Sequence, residues 1–384
     1  MMTFDPARAG PLQDIRVLDL SRLVAGNMLT VYLADFGADV IKIERPDGGD
    51  DLRHWREAGE PIYWKIYGRN KRSMALDLKS DAGLDVFRKL VRRSQILVEN
   101  FVPGGLEKMG LAPEALRAIN PALVIARVSG WGQSGPYNHK PGFGTLVEAM
   151  SGFAALNGFD DRPPVLPPLA LADMIAGIYG AAGVLTALRV AEKTGKGQVI
   201  DLSLFEPIFS VISSEAAKSQ LTGQPTPRAG NQSTHVAPRN VYVCSDGRYV
   251  ALSGSMQAMA LRILDTIGRP ELKTDPRFVD NDARVRHRDE LDRIIAGFIG
   301  ARTQAENLAL FEAAHVTVGP VCTAMELLTH PYARGREALV ELPDADMGSV
   351  PQHNIVPRLL GTPGQFRRPA PALGQHTAEI LAEL

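Results

Sequence analysis

The sequence predicts an α/β protein built on a doubly wound parallel sheet, with a second, smaller α+β domain. Two observations carry this. In the first 130 residues, short β-branched runs alternate with helical patterns, the signature of parallel strands with helices on both faces. After residue 222 the pattern changes to a hairpin followed by helices.

In chain order, IRVLDL (15–20) reads as the first strand. The loop SRLVAG follows, then an apolar-periodic helix from about Asn27 to Phe36, stopped by Gly37. ADVIKIE (38–44) is the second strand and SMALDL (73–78) the third. Ser80 is placed to cap the helix DAGLDVFRKLVRR. QILVEN (95–100) is the fourth strand, APEALRAI a short helix, and LVIARVSG (123–130) the fifth strand. A long helix rich in small residues should begin near Leu171, after Pro167-Pro168, and end before Gly195. GQVIDLSLF returns a strand. The Gly/Pro/Ser/Thr-rich stretch 223–238 reads as a linker. RNVYVCSDGRYVALSG reads as a hairpin turning at Asp246-Gly247, with helices at about 256–267, 287–300 and 303–314. A second linker, GREALVELPDADMGSVPQHNIVP, leads to a last helix near 376–383. The expected domains are therefore 1–222, 223–330, and 331–384 as linker and C-terminal segment.

The chain has 384 residues, of which 45% are apolar, enough for two sizeable cores. Lys+Arg number 42 and Asp+Glu 43, so charge balance lends nothing to a nucleic-acid role. Cys244 and Cys322 lie far apart and outside any CxxC, which fits a reducing, cytoplasmic setting. The N-terminus has no apolar signal core. The uncharged apolar run Met174–Leu188 falls short of the roughly 20 residues of a membrane span. The first βα turn, SRLVAGN, is not a GxGxxG. No P-loop, HExxH or GxSxG occurs, so dinucleotide, zinc and serine-hydrolase chemistry have no motif, and no metal is expected.

Two features point to chemistry. Asp173 falls in the first turn of the long helix, where unpaired N–H groups and the helix dipole favour an anion. Basic residues gather at the loop ends of the predicted sheet: Arg45 after IKIE, Lys71 and Arg72 before SMALDL, Lys79 after it, and Lys108 beyond ENFVPG. There they could hold a phosphorylated ligand.

LDLSRLVAGN, GADVIKIERPDGGD, NKRSMALDLKS, VENFVPGGLEKMGL, the Asp173 run, TGKGQVIDLSLFE and LGQHTAEIL together resemble the class III CoA-transferases, the group of formyl-CoA transferase and the carnitine-linked CoA-transferase. The resemblance spans essentially the whole chain. It implies an interlocked homodimer of ring-shaped subunits, each with a Rossmann-like large domain drawn from both chain ends. It implies coenzyme A as substrate, Asp173 as catalytic residue, and CoA contacts at Leu23, Val24 and Ala25 with Arg45 beside them. Leu76 to Lys79, Asn100, Phe101, Lys108 and Lys140 should follow along the cofactor. The implied activity is transfer of CoA between an acyl-CoA and a free carboxylic acid through an aspartyl anhydride and thioester. No GGGG run occurs, unlike formyl-CoA transferase, and KPGFGTLVEAMSG lacks the His-Asp pair of the family's racemases. The GFGTLVEAMSGFA wording looks more like members acting on short dicarboxylates such as succinate. A CoA-ester racemase, or a non-catalytic CoA-binding protein, is the alternative. In the dicarboxylate reading, His139, Lys140 and Arg162 are candidate partners for the second carboxylate.

Overall fold

A computed structural model describes residues 2–384. Its centre is a six-stranded, wholly parallel sheet in the order β3-β2-β1-β4-β5-β6. The strands are β1 (Arg16–Asp19), β2 (Asp39–Glu44), β3 (Arg72–Ala75), β4 (Ile96–Glu99), β5 (Val124–Ser129) and β6 (Val199–Ser203). Successive side chains on a strand point to opposite faces, so each strand feeds two cores. Leu18, Ile41, Leu97 and Ile125 face one layer with Phe87, Leu90 and Leu116. Val17, Val40, Val98 and Val124 face the other with Leu29, Leu33, Val184 and Leu188. Nearly continuous apolar strands are what a sheet buried on both sides requires.

The predicted elements fall where expected, with small shifts. The first helix runs Ala25–Asp35. Ser80 caps the Asp81–Arg92 helix, its hydroxyl accepting the Gly83 N–H at 3.1 Å. The long helix spans Leu171–Thr194 and ends at Gly195, whose φ of 68° is the left-handed geometry glycine supplies at a helix end. At 24 residues it is the one helix among the described residues long and apolar enough to cross a membrane. In the fold it lies against the Ala25–Asp35 helix through its glycines. A Cβ on Gly177 would stand 2.6 Å from the Met28 side chain and 2.9 Å from the Ala25 carbonyl oxygen; one on Gly180 would stand 2.6 Å from Leu29.

One expectation is overturned. The stretch read as a second linker holds an antiparallel ribbon, Leu339–Asp344 with Gly348–His353. Its Pro343 and Pro351 suggest a loop, but a two-stranded ribbon can place prolines where no ladder donor is needed. Val340 and Leu342 bury against Phe36, Ile355 and Phe366.

The chain separates into two compact units. The first comprises Met1–Ala154, Leu166–Lys218 and Pro331–Leu384; the second comprises Ala155–Val165 and Ser219–His330. The second thus starts four residues before the expected position 223 and also takes in 155–165. It contains a three-stranded antiparallel sheet, Arg239–Val243, Tyr249–Ser253 and Val318–Pro320, and the helices Gln257–Thr266, Arg288–Gly300 and Gln304–Ala313. Its core is built on Val250, Leu252, Ile263, Leu291, Ile295 and Phe311.

The close helix pair gives a direct test. Gly177→Val should force the Leu171–Thr194 and Ala25–Asp35 helices apart and lower stability by roughly 1–3 kcal/mol. Urea unfolding should show a lower midpoint, and an unchanged midpoint would refute the close packing.

Candidate active site

The site begins with a buried cluster of opposite charges beneath the SRLVAG loop. Asp19, Lys42 and Lys71 are fully buried and Asp50 is 1% exposed, so their charges must balance internally. Lys42 Nζ lies 3.3 Å from Asp19 and 3.0 Å from Asp50, and Lys71 Nζ lies 3.3 Å from Asp19. Lys71 also donates to Asn27 Oδ1 at 2.7 Å and Thr30 Oγ1 at 2.8 Å. Burial pushes the Asp50 carboxyl up, but Lys42 and the hydrogen bonds outweigh it and bring it to about 2.

Asp50 carries the cluster's order into the loop. Its carboxylate accepts the Leu23 N–H at 2.9 Å, the Leu52 N–H at 2.9 Å and the Asn27 side-chain amide at 2.7 Å. Leu23 is thereby held at φ 61°, a left-handed conformation that costs a non-glycine residue roughly 1–2 kcal/mol. The reward is orientation: Leu23 and Val24 face a cavity, and the next residue opens the Ala25–Asp35 helix.

That cavity, of 510 Å³, contains Asp173. Its wall includes Trp55, Tyr63, Phe143, Gly144 and Glu148. Asp173 stands in the first turn of its own helix. Its own N–H and the N–H of Ala25 draw its carboxyl toward the charged form, so two helix N-termini act on one anion. Opposing them, burial first and the Glu148 charge second push the Asp173 carboxyl up to about 6. Glu148, on the Gly144–Met150 helix, is 2% exposed and accepts the Ala172 N–H at 3.0 Å. Gly144 leaves the room this needs: a Cβ there would lie 2.3 Å from Asp173 Oδ2 and 3.7 Å from Glu148 Oε1.

A second opening, of 270 Å³, lies at the carboxyl ends of β1 to β4, where open α/β sheets bind ligands. Arg45, Leu76, Lys79 and Phe101 line it. Arg22 lines it too, its guanidinium 6.0 Å from the Phe101 ring centroid. Asn100 is the clasp between loops: its side chain accepts the Arg22 N–H at 2.8 Å and donates to the Arg22 carbonyl at 2.7 Å. Glu99, fixed by Arg127 at 2.7 Å, accepts the Phe101 N–H and sets the next loop.

The expected site residues therefore divide. Arg45, Leu76, Lys79 and Phe101 share the groove. Leu23 and Val24 line the Asp173 chamber and not the groove, and the Ala25 N–H favours the Asp173 anion. The left-handed turn at Leu23 aims them there. Lys108 and Lys140 are exposed and line neither opening; Lys140 Nζ sits 3.4 Å over the Tyr137 ring. Lys71 and Arg72 are also not groove residues. Lys71 belongs to the buried cluster, and Arg72 pairs with Asp39, Glu379 and Glu383. Arg22 and Glu148 are additions from the structure. Arg22 follows the first strand, where a basic residue is a recognisable signal. Glu148 carries no such mark, because only folding brings residue 148 against residue 172. Among the described residues no His, Cys, Asp and Glu group has metal-site geometry.

The raised carboxyl gives a stability test with a definite sign. Folded Asp173 keeps its proton to about pH 6, whereas an unfolded aspartate loses it near its ordinary value of 3.8. Between those values the folded state binds more protons, so this group's contribution falls as pH rises and its full penalty is present above pH 6. Asp173→Asn should raise stability at pH 8 by on the order of 2 kcal/mol, after allowance for solvent screening, and have little effect near pH 4. Thermal melts at both pH values check this, and a destabilised variant at pH 8 would contradict it.

Comparison with known proteins fits the geometry. CoA-transferase family III matches residues 12–377. The succinyl-CoA–D-citramalate CoA-transferase of Chloroflexus aurantiacus is 40% identical over 377 residues, covering 97% of this chain and 94% of that protein. The succinate–glutarate CoA-transferase of Agrobacterium fabrum is 35% identical, covering 100% of this chain and 98% of that protein. The crystal structure of a CAIB/BAIF family protein from Brucella suis superposes with a TM-score of 0.86 at 32% identity, over 98% of this chain and 100% of that one. The six-stranded parallel sheet, the helix-bound aspartate and this near-complete match place the chain in the class III CoA-transferase family.

Proposed function

We propose that this CoA-transferase exchanges CoA between succinyl-CoA and a free short dicarboxylic acid, with Asp173 as the nucleophile. The observation that carries the nucleophile assignment is a carboxylate at two helix N-termini in a 510 Å³ chamber. The dicarboxylate assignment rests on the two relatives, which act on succinate with citramalate or glutarate by their names.

The two openings divide the thioester between them. Arg22 borders the groove and the adjacent Leu23 and Val24 border the chamber. A CoA ester would run along this loop, with its phosphates near Arg22, Arg45 and Lys79 and its thioester before Asp173. An Asp173 oxygen attacks the acyl carbon, the C–S bond breaks, and CoA leaves as thiolate, giving a mixed anhydride. The thiolate attacks the Asp173 carbonyl carbon, releasing the first acid and leaving an aspartyl thioester. The incoming carboxylate then displaces thiolate to form a second anhydride. Thiolate attack on its acyl carbon yields the new CoA ester and restores Asp173. No proton is consumed, and excluding water from the anhydride is essential.

The chamber wall carries no Lys, Arg or His, and His139, Lys140 and Arg162 are not among its lining residues. Substrate comparison is therefore the decisive test. The value of kcat/KM should be higher for succinyl-CoA than for butyryl-CoA of equal chain length; equality or reversal removes the dicarboxylate claim. Asp173→Ala should abolish exchange yet still bind the CoA ester by calorimetry, and substantial turnover in that variant would overturn the nucleophile assignment.

We further propose an interlocked homodimer, as the family resemblance implies, and a cytoplasmic setting, which the cysteine usage suggests. Interlocked rings must open to part, so dilution should yield no folded monomer. Sedimentation at nanomolar concentration finding a compact 41.6 kDa species with native circular dichroism would exclude that assembly.

A further inference from the structure

We propose that Glu148 is the positioning residue of the Asp173 carboxylate, with two separable tasks: accepting a hydrogen bond that fixes the start of the Asp173 helix, and supplying a negative charge that keeps Asp173 reactive. The proposal rests on the reading of Asp173 as nucleophile.

The geometry is unusual for a helix start. Ala170, at the N-cap, makes no side-chain cap. A serine or asparagine there would satisfy an orphan N–H without introducing charge. Instead the Ala172 N–H goes to a 2%-exposed glutamate from another helix. Glu148 is held by one oxygen, Oε1, and lines the chamber with Asp173. Both carboxylates border the space that a Cβ at Gly144 would enter. A buried anion without a cation is expensive, and a second anion beside it more so. Capping alone does not account for that arrangement.

Reactivity does account for it. Two helix N-termini stabilise the Asp173 anion and by themselves would make it a weak nucleophile. Glu148 opposes them electrostatically. When Asp173 attacks the acyl carbon, its charge passes to the departing thiolate, and the repulsion from Glu148 is relieved. The interaction is thus less unfavourable in the transition state than in the ground state, the condition for raising kcat. Glu148 neither gains nor loses a proton in the step.

The groups facing Asp173 are few. They are Glu148 from the Gly144–Met150 helix, the Ala25 N–H from the Ala25–Asp35 helix, its own N–H, and on the same wall the Tyr63 phenol of the Ile62–Tyr67 helix. The acid limb of turnover therefore reports Asp173 under the influence of the Glu148 charge.

The test uses the full chain and three variants: Glu148→Gln, Glu148→Asp and Asp173→Asn. Glutamine can still accept the Ala172 N–H but carries no charge. Glu148→Gln should lower kcat several-fold and move the acid limb of its pH profile down by roughly one unit, with the KM for the CoA ester little changed. Glu148→Asp keeps the charge and should retain the wild-type acid limb. An unshifted limb in Glu148→Gln, or wild-type kcat, overturns the proposal. If Glu148→Gln fails to fold, the carboxyl titration of Asp173 by carbon NMR in Glu148→Asp decides: a value at or above wild type supports the proposal, and one well below it refutes it. Asp173→Asn separates the two readings. Turnover there means Asp173 is not the nucleophile, whatever Glu148 does, whereas an inactive Asp173→Asn with an unshifted Glu148→Gln condemns this proposal alone.

Discussion

Everything at the site depends on how closely the Leu171–Thr194 and Ala25–Asp35 helices approach. Side chains at Gly177 and Gly180 would collide with Met28, Leu29 and the backbone of Ala25. Without them the helices meet near their starts, and the Ala25 N–H favours the Asp173 anion. Such contact uses partial charges of the backbone, which are fixed by the fold and need no reorganisation as charge moves. A looser pair would leave Asp173 with only its own helix and more water.

The first loop links this helix pair to the sheet. It leaves β1 over a cluster in which two carboxylates and two ammonium groups neutralise one another out of reach of solvent. Breaking such a cluster by removing one member strands a buried charge, which typically costs 3–5 kcal/mol. The cluster is therefore a rigid foundation. Asp50 transmits that rigidity to Leu23, forcing a backbone conformation that leucine avoids. Strain of this kind persists only where the surroundings over-determine it, and here it turns one loop between two openings.

The site is also where the molecule gives up stability. Glu148 and Asp173 bring two carboxylates together on a wall without a cation. This arrangement is unfavourable to folding and useful to a nucleophile, because the reaction disperses the charge. The foundation beneath the loop and the two-sided core of the sheet supply what the site gives up.

The order of strands and helices was legible in the sequence, because β-branched runs, Ser80, Gly195 and the small-residue helix each report local backbone preference. So was Asp173, since a first-turn acid and the surrounding motifs are contiguous in the chain. Arg45 and Lys79 of the groove could be read from their places after predicted strands, whereas Leu76 and Phe101 entered through the family resemblance. Prolines concealed the 339–353 ribbon, because its pairing is set by packing on Phe36 and Phe366. Charge alone put Lys71 and Arg72 at the groove, whereas both are buried in ion pairs: a basic residue reads the same whether it is buried in an ion pair, stacked on a tyrosine as Lys140 is, or exposed as Lys108 is. The left-handed turn at Leu23 and the meeting of Glu148 with Ala172 were decided only by tertiary structure. Both depend on groups more than twenty residues apart, whose distance and burial, and hence electrostatics, have no local signature in the chain.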